Sequence, residues 1–199
     1  SFVSYYKEHY RKPSAPIMTV YFFYGCNINY NDLQLGIDFL QFCSHHNIAV
    51  EIFDQKCCGI PVASAGESDA YYRRIQENFA NFWPIIQSGH KIVSLSSTCS
   101  MTIKKDYLRH LDLIEDEQRR YQSGILYFNE FLQVLEEEGV CVDYNSGNTP
   151  LAYHVPCHVK FSGEQANTVS LLRRISPEQV HVYDENCCGI GGSYGVKQE

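Results

Sequence analysis

Short apolar runs alternate with amphipathic stripes along this chain, and that alternation restricts it to few architectures. Residues 17–24 (IMTVYFFY), 48–53 (IAVEIF), 91–95, 151–154 and 180–183 have the length and composition of buried strands. Helical stripes lie between them. In 31–46, Leu33, Ile37 and Leu40 form one row, and Leu35, Phe39 and Phe42 a second. Ser64 and Glu67 have capping-box spacing ahead of a helix with Ile75, Phe79, Phe82 and Ile86 on one face. Two more polar helices are expected after 95. In the second, Ile125, Phe128, Leu132 and Leu135 share a face, and Gly139 is placed to end it. A further helix is expected over 162–175, with Val169 and Leu172 on one side. Strand following helix in this way predicts an α/β fold with mainly parallel sheets flanked by helices. Residues 1–16 contain Pro13, Pro16 and no apolar period, and read as a linker continuing from a preceding region.

Charge and cysteine usage narrow the function. Sixteen Lys and Arg face 23 Asp and Glu, a formal net charge of −7, which argues against a nucleic-acid partner. No run of about 20 apolar residues is present to span a membrane, and no signal-peptide pattern is visible. A reducing compartment is therefore expected, where clustered Cys act as metal ligands or catalytic thiols. There are nine Cys, an odd number that complete internal pairing cannot use.

The positions of these Cys reveal an internal repeat. Cys26 precedes Lys56-Cys57-Cys58-Gly59-Ile60, and Cys157 precedes Asn186-Cys187-Cys188-Gly189-Ile190. The separations, Cys26 to Cys57 and Cys157 to Cys187, are 31 and 30 residues. Each single Cys follows one expected strand and each Cys-Cys-Gly the next, while Cys99 follows the strand at 91–95. The carboxyl ends of parallel strands form one sheet edge, so topology brings these thiols together. Thiolate sulfur selects iron–sulfur clusters, zinc or copper(I). Neighbouring Cys on a regular strand point to opposite faces, so a turn must redirect one of each pair. Gly59 and Gly189 supply that freedom. The Cys-x2-Cys-x2-Cys run of ferredoxins is absent.

The segments FYGCNINYNDLQLG (23–36), KCCGIPVASAG (56–66), SSTCSMTIKKDY (96–107), YHVPCH (153–158) and NCCGIGGSYGVKQE (186–199) carry a resemblance. They resemble the cysteine-rich CCG domain family found in the disulfide-cleaving part of heterodisulfide reductase, in lactate-utilisation iron–sulfur proteins and in the iron–sulfur component of anaerobic glycerol-3-phosphate dehydrogenase, the last most nearly. The resemblance implies two pseudo-repeated lobes: a first module over 17–149 with connecting helices, and a second over 150–199 that is incomplete. It implies metal ligation by Cys26, Cys57, Cys58 and Cys99, and cofactor binding by Cys157, Cys187 and Cys188. The family pattern closes each unit with Cys-x2-Cys. Its last Cys falls at Thr102 in the first unit and beyond Glu199 in the second.

The implied cofactor is an iron–sulfur cluster of the 4Fe-4S type, with zinc the alternative in the first module. The implied role is electron transfer in a glycerol-3-phosphate dehydrogenase-like complex, from flavin-containing dehydrogenase subunits toward membrane quinone. That places the chain in the cytoplasm, peripheral to the inner face of the cell membrane. Two alternatives remain at this point: thiol/disulfide catalysis of the heterodisulfide reductase kind, and a zinc-stabilised docking scaffold. No catalytic Ser–His–Asp or paired-carboxylate arrangement is apparent, and no dinucleotide G-x-G-x-x-G is present. Cys43 and Cys141, both in apolar stretches, read as core thiols. His154 and His158 read as structural histidines beside Cys157.

Overall fold

Where the sequence predicts a linker, residues Phe2–His9 form a helix, α1. Ser1 Oγ caps it by accepting from Ser4 N, and Phe2 is fully buried, its ring edge-on to Phe22 with centroids 5.4 Å apart. The computed structural model describes residues 1–144, 149–177, 179–183, 186, 188 and 189. The chain divides into two units, Ser1–Leu126 and Tyr127–Glu199.

The first unit is built on β1 (Met18–Phe23), whose aromatic run is covered on both faces. Phe22 packs against Phe39 on one side, while Phe23 meets Phe82 on the other. After β1 come α2 (Gly25–Tyr30), α3 (Leu33–His45) and β2 (Ile48–Glu51). Asp32 caps α3 by accepting from Leu35 N. Next are α4 (Ile60–Ser64), α5 (Ser68–Gln87) and β3 (Lys91–Ser94). Then come α6 (Ser97–Met101), a π-helical turn (Thr102–Asp106), a 3-10 turn (Tyr107–His110), α7 (Glu115–Gly124) and β4 (Ile125–Tyr127). The sheet order is β2-β1-β3-β4, and β1 pairs in parallel with both neighbours, Val20 opposite Val50 and Tyr21 opposite Ile92. The sequence expectation of parallel strands flanked by helices holds. Beneath one face, Phe23, Ile75, Phe82, Ile86, Ile92, Ile103, Tyr107 and Tyr121 form a core that includes Cys58 and Cys99.

Three expectations are corrected here. Ser64 and Glu67 form no capping box, because Ser64 ends α4 and α5 starts after Glu67 without a side-chain cap. Ile125 lies in β4 rather than on the following helix, since the three-residue run Ile-Leu-Tyr is wholly buried and extends the sheet. The helix expected over 162–175 is found as Gln165–Ile175, starting later because Gly163, in the left-handed region at φ 82°, ends a separate helix over Cys157–Ser162.

The second unit contains α8 (Phe128–Glu137), β5 (Leu151–His154), α9 (Cys157–Ser162), α10 (Gln165–Ile175) and β6 (Val180–Tyr183). β5 and β6 pair in parallel, Leu151 opposite Val180. Asn129 on α8 donates to Glu164 Oε2 at 2.8 Å.

The exposed edge of β2 is closed by phenols. Tyr6 Oη donates to Val50 O and Val50 N donates to Tyr10 Oη, both at 2.8 Å, and the two rings stack at 4.9 Å. Both edge-facing groups of Val50 are thereby satisfied, which removes a template for intermolecular strand pairing. Replacing both tyrosines with Phe is expected to cost about 2 kcal/mol, about one per hydrogen bond. Urea denaturation reads that loss, and sedimentation should show concentration-dependent association absent from the unaltered chain.

Candidate functional site

The strand order fixes where a ligand site lies. From β1 the chain passes by way of α3 to β2 on one side, then returns by way of α5 to β3 on the other. The connections diverge between β1 and β3, and in open parallel sheets that divergence opens a crevice at the carboxyl edge. Cys26 follows β1, Cys57 and Cys58 follow β2, and Cys99 follows β3. The structure brings all four together there, as their spacing predicts.

Each thiol is held by local geometry. Gly25 adopts φ 59°, and a Cβ on it would stand 3.4 Å from Cys99 Sγ. Gln55 spans the crevice, donating to Phe22 O at 2.9 Å and accepting from Gly25 N at 3.2 Å. Gly59, at φ 92°, reverses the chain after the Cys-Cys pair, and a Cβ there would lie 2.6 Å from Tyr71. Ser96 Oγ accepts from Cys99 N.

The Cys-Cys segment itself is tied down by Asn78, which no motif signals, and by Tyr107, which ends the segment 96–107 without any ligand signal of its own. Asn78 on α5 is fully buried. Its Oδ1 accepts from Lys56 N at 2.8 Å, and its Nδ2 faces Lys56 O, Cys57 O and Tyr107 Oη. Tyr107 Oη in turn donates to Cys58 O at 3.0 Å. One visible sign is that Asn78 interrupts the apolar face of Ile75, Phe82 and Ile86.

The four sulfurs form a hydrogen-bonded string, with Cys26 and Cys99 also near enough to interact. Cys26 Sγ lies 3.6 Å from Cys57 Sγ, Cys57 interacts with Cys58, and Cys58 with Cys99. The direction of the pKa shift alternates along it. Cys57 is held far below the usual thiol range because Cys26 and Cys58 donate to its sulfur; burial opposes this, and the Gly59 amide and Arg74 charge add to it. Cys99 is lowered by the Cys58 donor and by Ser96, again against burial. Cys26 and Cys58, the donors, are raised, through those same hydrogen bonds first and burial second. Two sites along the string thus favour thiolate, the form that ligates metal. Among the described residues, no three His, Cys, Asp or Glu side chains are disposed to hold a single metal ion. Thr102, where the family pattern places another Cys, is fully buried, and its hydroxyl has no partner among the described residues.

In the second unit, Cys157 opens α9 directly after β5, and Cys188 and Gly189 lie beyond β6, Gly189 at φ 77°. Cys187 lies outside the described residues. His154 Nε2 is 2.7 Å from Asn186 O, which joins the end of β5 to the start of the second Cys-Cys segment. The reading of His154 as structural agrees with that bond. Cys43 is fully buried, as a core thiol should be. Cys141 is exposed, against expectation: exposure alternates over 141–144, and Val142 and Tyr144 are the half-buried members while Cys141 faces outward.

Residues 20–104 and 151–199 match the sequence model of the CCG cysteine-rich domain. The chain is similar to the C subunit of anaerobic glycerol-3-phosphate dehydrogenase from Escherichia coli (strain K12), 30% identical over 182 residues covering 90% of this chain and 45% of the relative. It is similar also to the B subunit of fumarate reductase (CoM/CoB) from Methanothermobacter marburgensis, at 27% identity, covering 88% of this chain and 33% of the relative. Lactate utilization protein A of Halalkalibacterium halodurans is 23% identical, over 90% of this chain and 74% of that protein. The chain thus spans less than half the length of the first two.

Proposed function

The chain belongs to the cysteine-rich CCG domain family, and from that premise we propose that it is an iron–sulfur electron-transfer subunit of an oxidoreductase complex. The observation that carries this reading is the string of four thiols, Cys26, Cys57, Cys58 and Cys99, at the carboxyl edge of the sheet. The donor set fits a polynuclear cluster: four soft sulfurs gathered at one sheet edge can reach separate irons. The missing Cβ at Gly25 leaves room against Cys99 Sγ. Cys26, Cys57, Cys58 and Cys99 would hold the group, and Cys157, Cys187 and Cys188 would serve the second module in the same way. An iron–sulfur cluster supplies one-electron transfer, and the residues around it govern its potential. Arg74 and the amides around Cys57 put positive charge and donors beside the sulfurs.

The finer reading is a 4Fe-4S cluster in a glycerol-3-phosphate dehydrogenase-like complex, taking electrons from a flavin subunit toward membrane quinone. Similarity to the subunit of that enzyme supports it. No helix among the described residues is long and apolar enough to cross a membrane; in this reading, contact with quinone is peripheral or through a partner. The relationship of the two modules as pseudo-repeats rests on β1 and β5, each followed at once by a Cys-bearing helix. Iron, acid-labile sulfide and zinc analysis of anaerobically purified protein, with EPR after dithionite reduction, tests the assignment. Iron and sulfide in near-equal amounts, with a reducible signal, are expected; zinc without sulfide would overturn it.

A further inference from the structure

The sulfur string does not end in closed protein. A cleft of about 270 Å³ opens beside it, with Cys26 and Cys57 in its wall together with Asn29, Lys56 and Arg74. Cys58 and Cys99 do not line it, so the cleft meets the thiol set at its Cys26 and Cys57 end. Arg74 and Lys56 bring positive charge to it, with the Cys57 sulfur beside Arg74. No Asp or Glu lines it, although the chain as a whole carries −7. Arg74 makes no hydrogen bond or ion pair with any described residue. Among the described residues, Lys56 has only Asp54, at 3.4 Å and largely exposed, as a counter-charge. Asn29 is more than nine-tenths buried. Its Oδ1 is used by Val3 N at 3.2 Å, while its Nδ2 has no partner among the described residues. A guanidinium fork and a fixed amide donor, with aromatic walls from Tyr24 and Tyr30, match a planar anion with a short organic body. The volume lies below the roughly 300–1,000 Å³ of pockets for drug-sized ligands, so the ligand is small.

We propose that this cleft is a binding site for a small organic carboxylate, clamped by Arg74 and Asn29 and set against the Cys26 and Cys57 sulfurs. The site is present in the metal-free chain. It is therefore tested on the reduced, metal-free chain, and failure there leaves the cluster assignment untouched. The probe is alkylation of Cys57 and Cys26, resolved by mass spectrometry, with iodoacetate compared to neutral iodoacetamide. Iodoacetate carries the carboxylate that the cleft selects. Its rate relative to iodoacetamide should fall about tenfold in Arg74→Gln, and Arg74→Lys, which keeps charge but loses the fork, should fall between. In the unaltered chain, succinate should protect both thiols from iodoacetamide. An equal fall for both reagents in Arg74→Gln would show Arg74 acting only on thiol reactivity, and would overturn the proposal. So would protection by inorganic phosphate but not succinate, or by neither.

Discussion

Serine at position 57 is expected to remove iron from the first module. Cys57 is the central link of the string: its sulfur meets Cys26 on one side and Cys58 on the other, and both contacts lower its pKa. Ser is nearly isosteric, but its hydroxyl is a poor ligand for iron near neutral pH. Bound iron assigned to this module should fall by at least about tenfold, the scale on which lost metal-site interactions lower affinity. The visible absorbance should fall with it. Cys43→Ser is the matched control, a buried Cys on α3 whose pKa is raised by burial alone; it should keep the signal. Far-UV circular dichroism of both variants separates ligand loss from unfolding. Iron content equal in the two variants and in the unaltered chain would mean that the wrong thiols have been assigned.

What the sequence reveals here follows from how locally each feature is encoded. Runs such as residues 17–24 and 48–53 declare strands because a parallel strand is apolar on both faces. The topological rule then places Cys26, Cys57, Cys58 and Cys99 on one edge without any distance being known. Elements that depend on tertiary contact are less visible. Helix α1 has little apolar period, and it forms because Phe2 finds a slot against Phe22 and because Tyr6 and Tyr10 reach Val50. Strand β4 is three residues long and continuous with an amphipathic helix, so periodicity alone assigns it to that helix. Cys141 shows the limit of composition, since Val140 and Val142 make its surroundings apolar while the alternation of the extended chain turns it outward. The residues most easily missed are Asn78, Tyr107 and Arg74. Asn78 and Arg74 stand in no Cys motif, and their roles depend on which turn of α5 faces the loop after β2; Tyr107 ends the segment 96–107, but its bond to Cys58 O is set by packing.

Asn78→Ala is expected to produce a large loss of stability from a polar residue outside the thiol set. The fully buried amide pairs with both backbone groups of Lys56 and with Tyr107 Oη. Alanine strands Lys56 N and at least one carbonyl without water, and leaves Tyr107 with only its bond to Cys58 O. Each buried group left unpaired costs roughly 1–3 kcal/mol, so a loss of about 3–4 kcal/mol is expected on denaturation. Tyr107→Phe removes one hydroxyl that both accepts from Asn78 and donates to Cys58 O; about 1–2 kcal/mol is expected. The two residues share a hydrogen bond, so the double variant should lose less than the sum of the singles, with a coupling of at least about 0.5 kcal/mol. Additive losses would mean that the two residues support the loop independently. A second measurement follows the site itself. Cys58 is only 2% exposed while its carbonyl is held by Tyr107, so Tyr107→Phe should speed its alkylation in the folded, metal-free chain. Cys43, on the far side of the sheet, should react at its original rate. A Cys58 rate unchanged in Tyr107→Phe would show that packing alone holds the Cys-Cys turn closed, and that the Asn78–Tyr107 pair contributes stability without positioning the sulfurs.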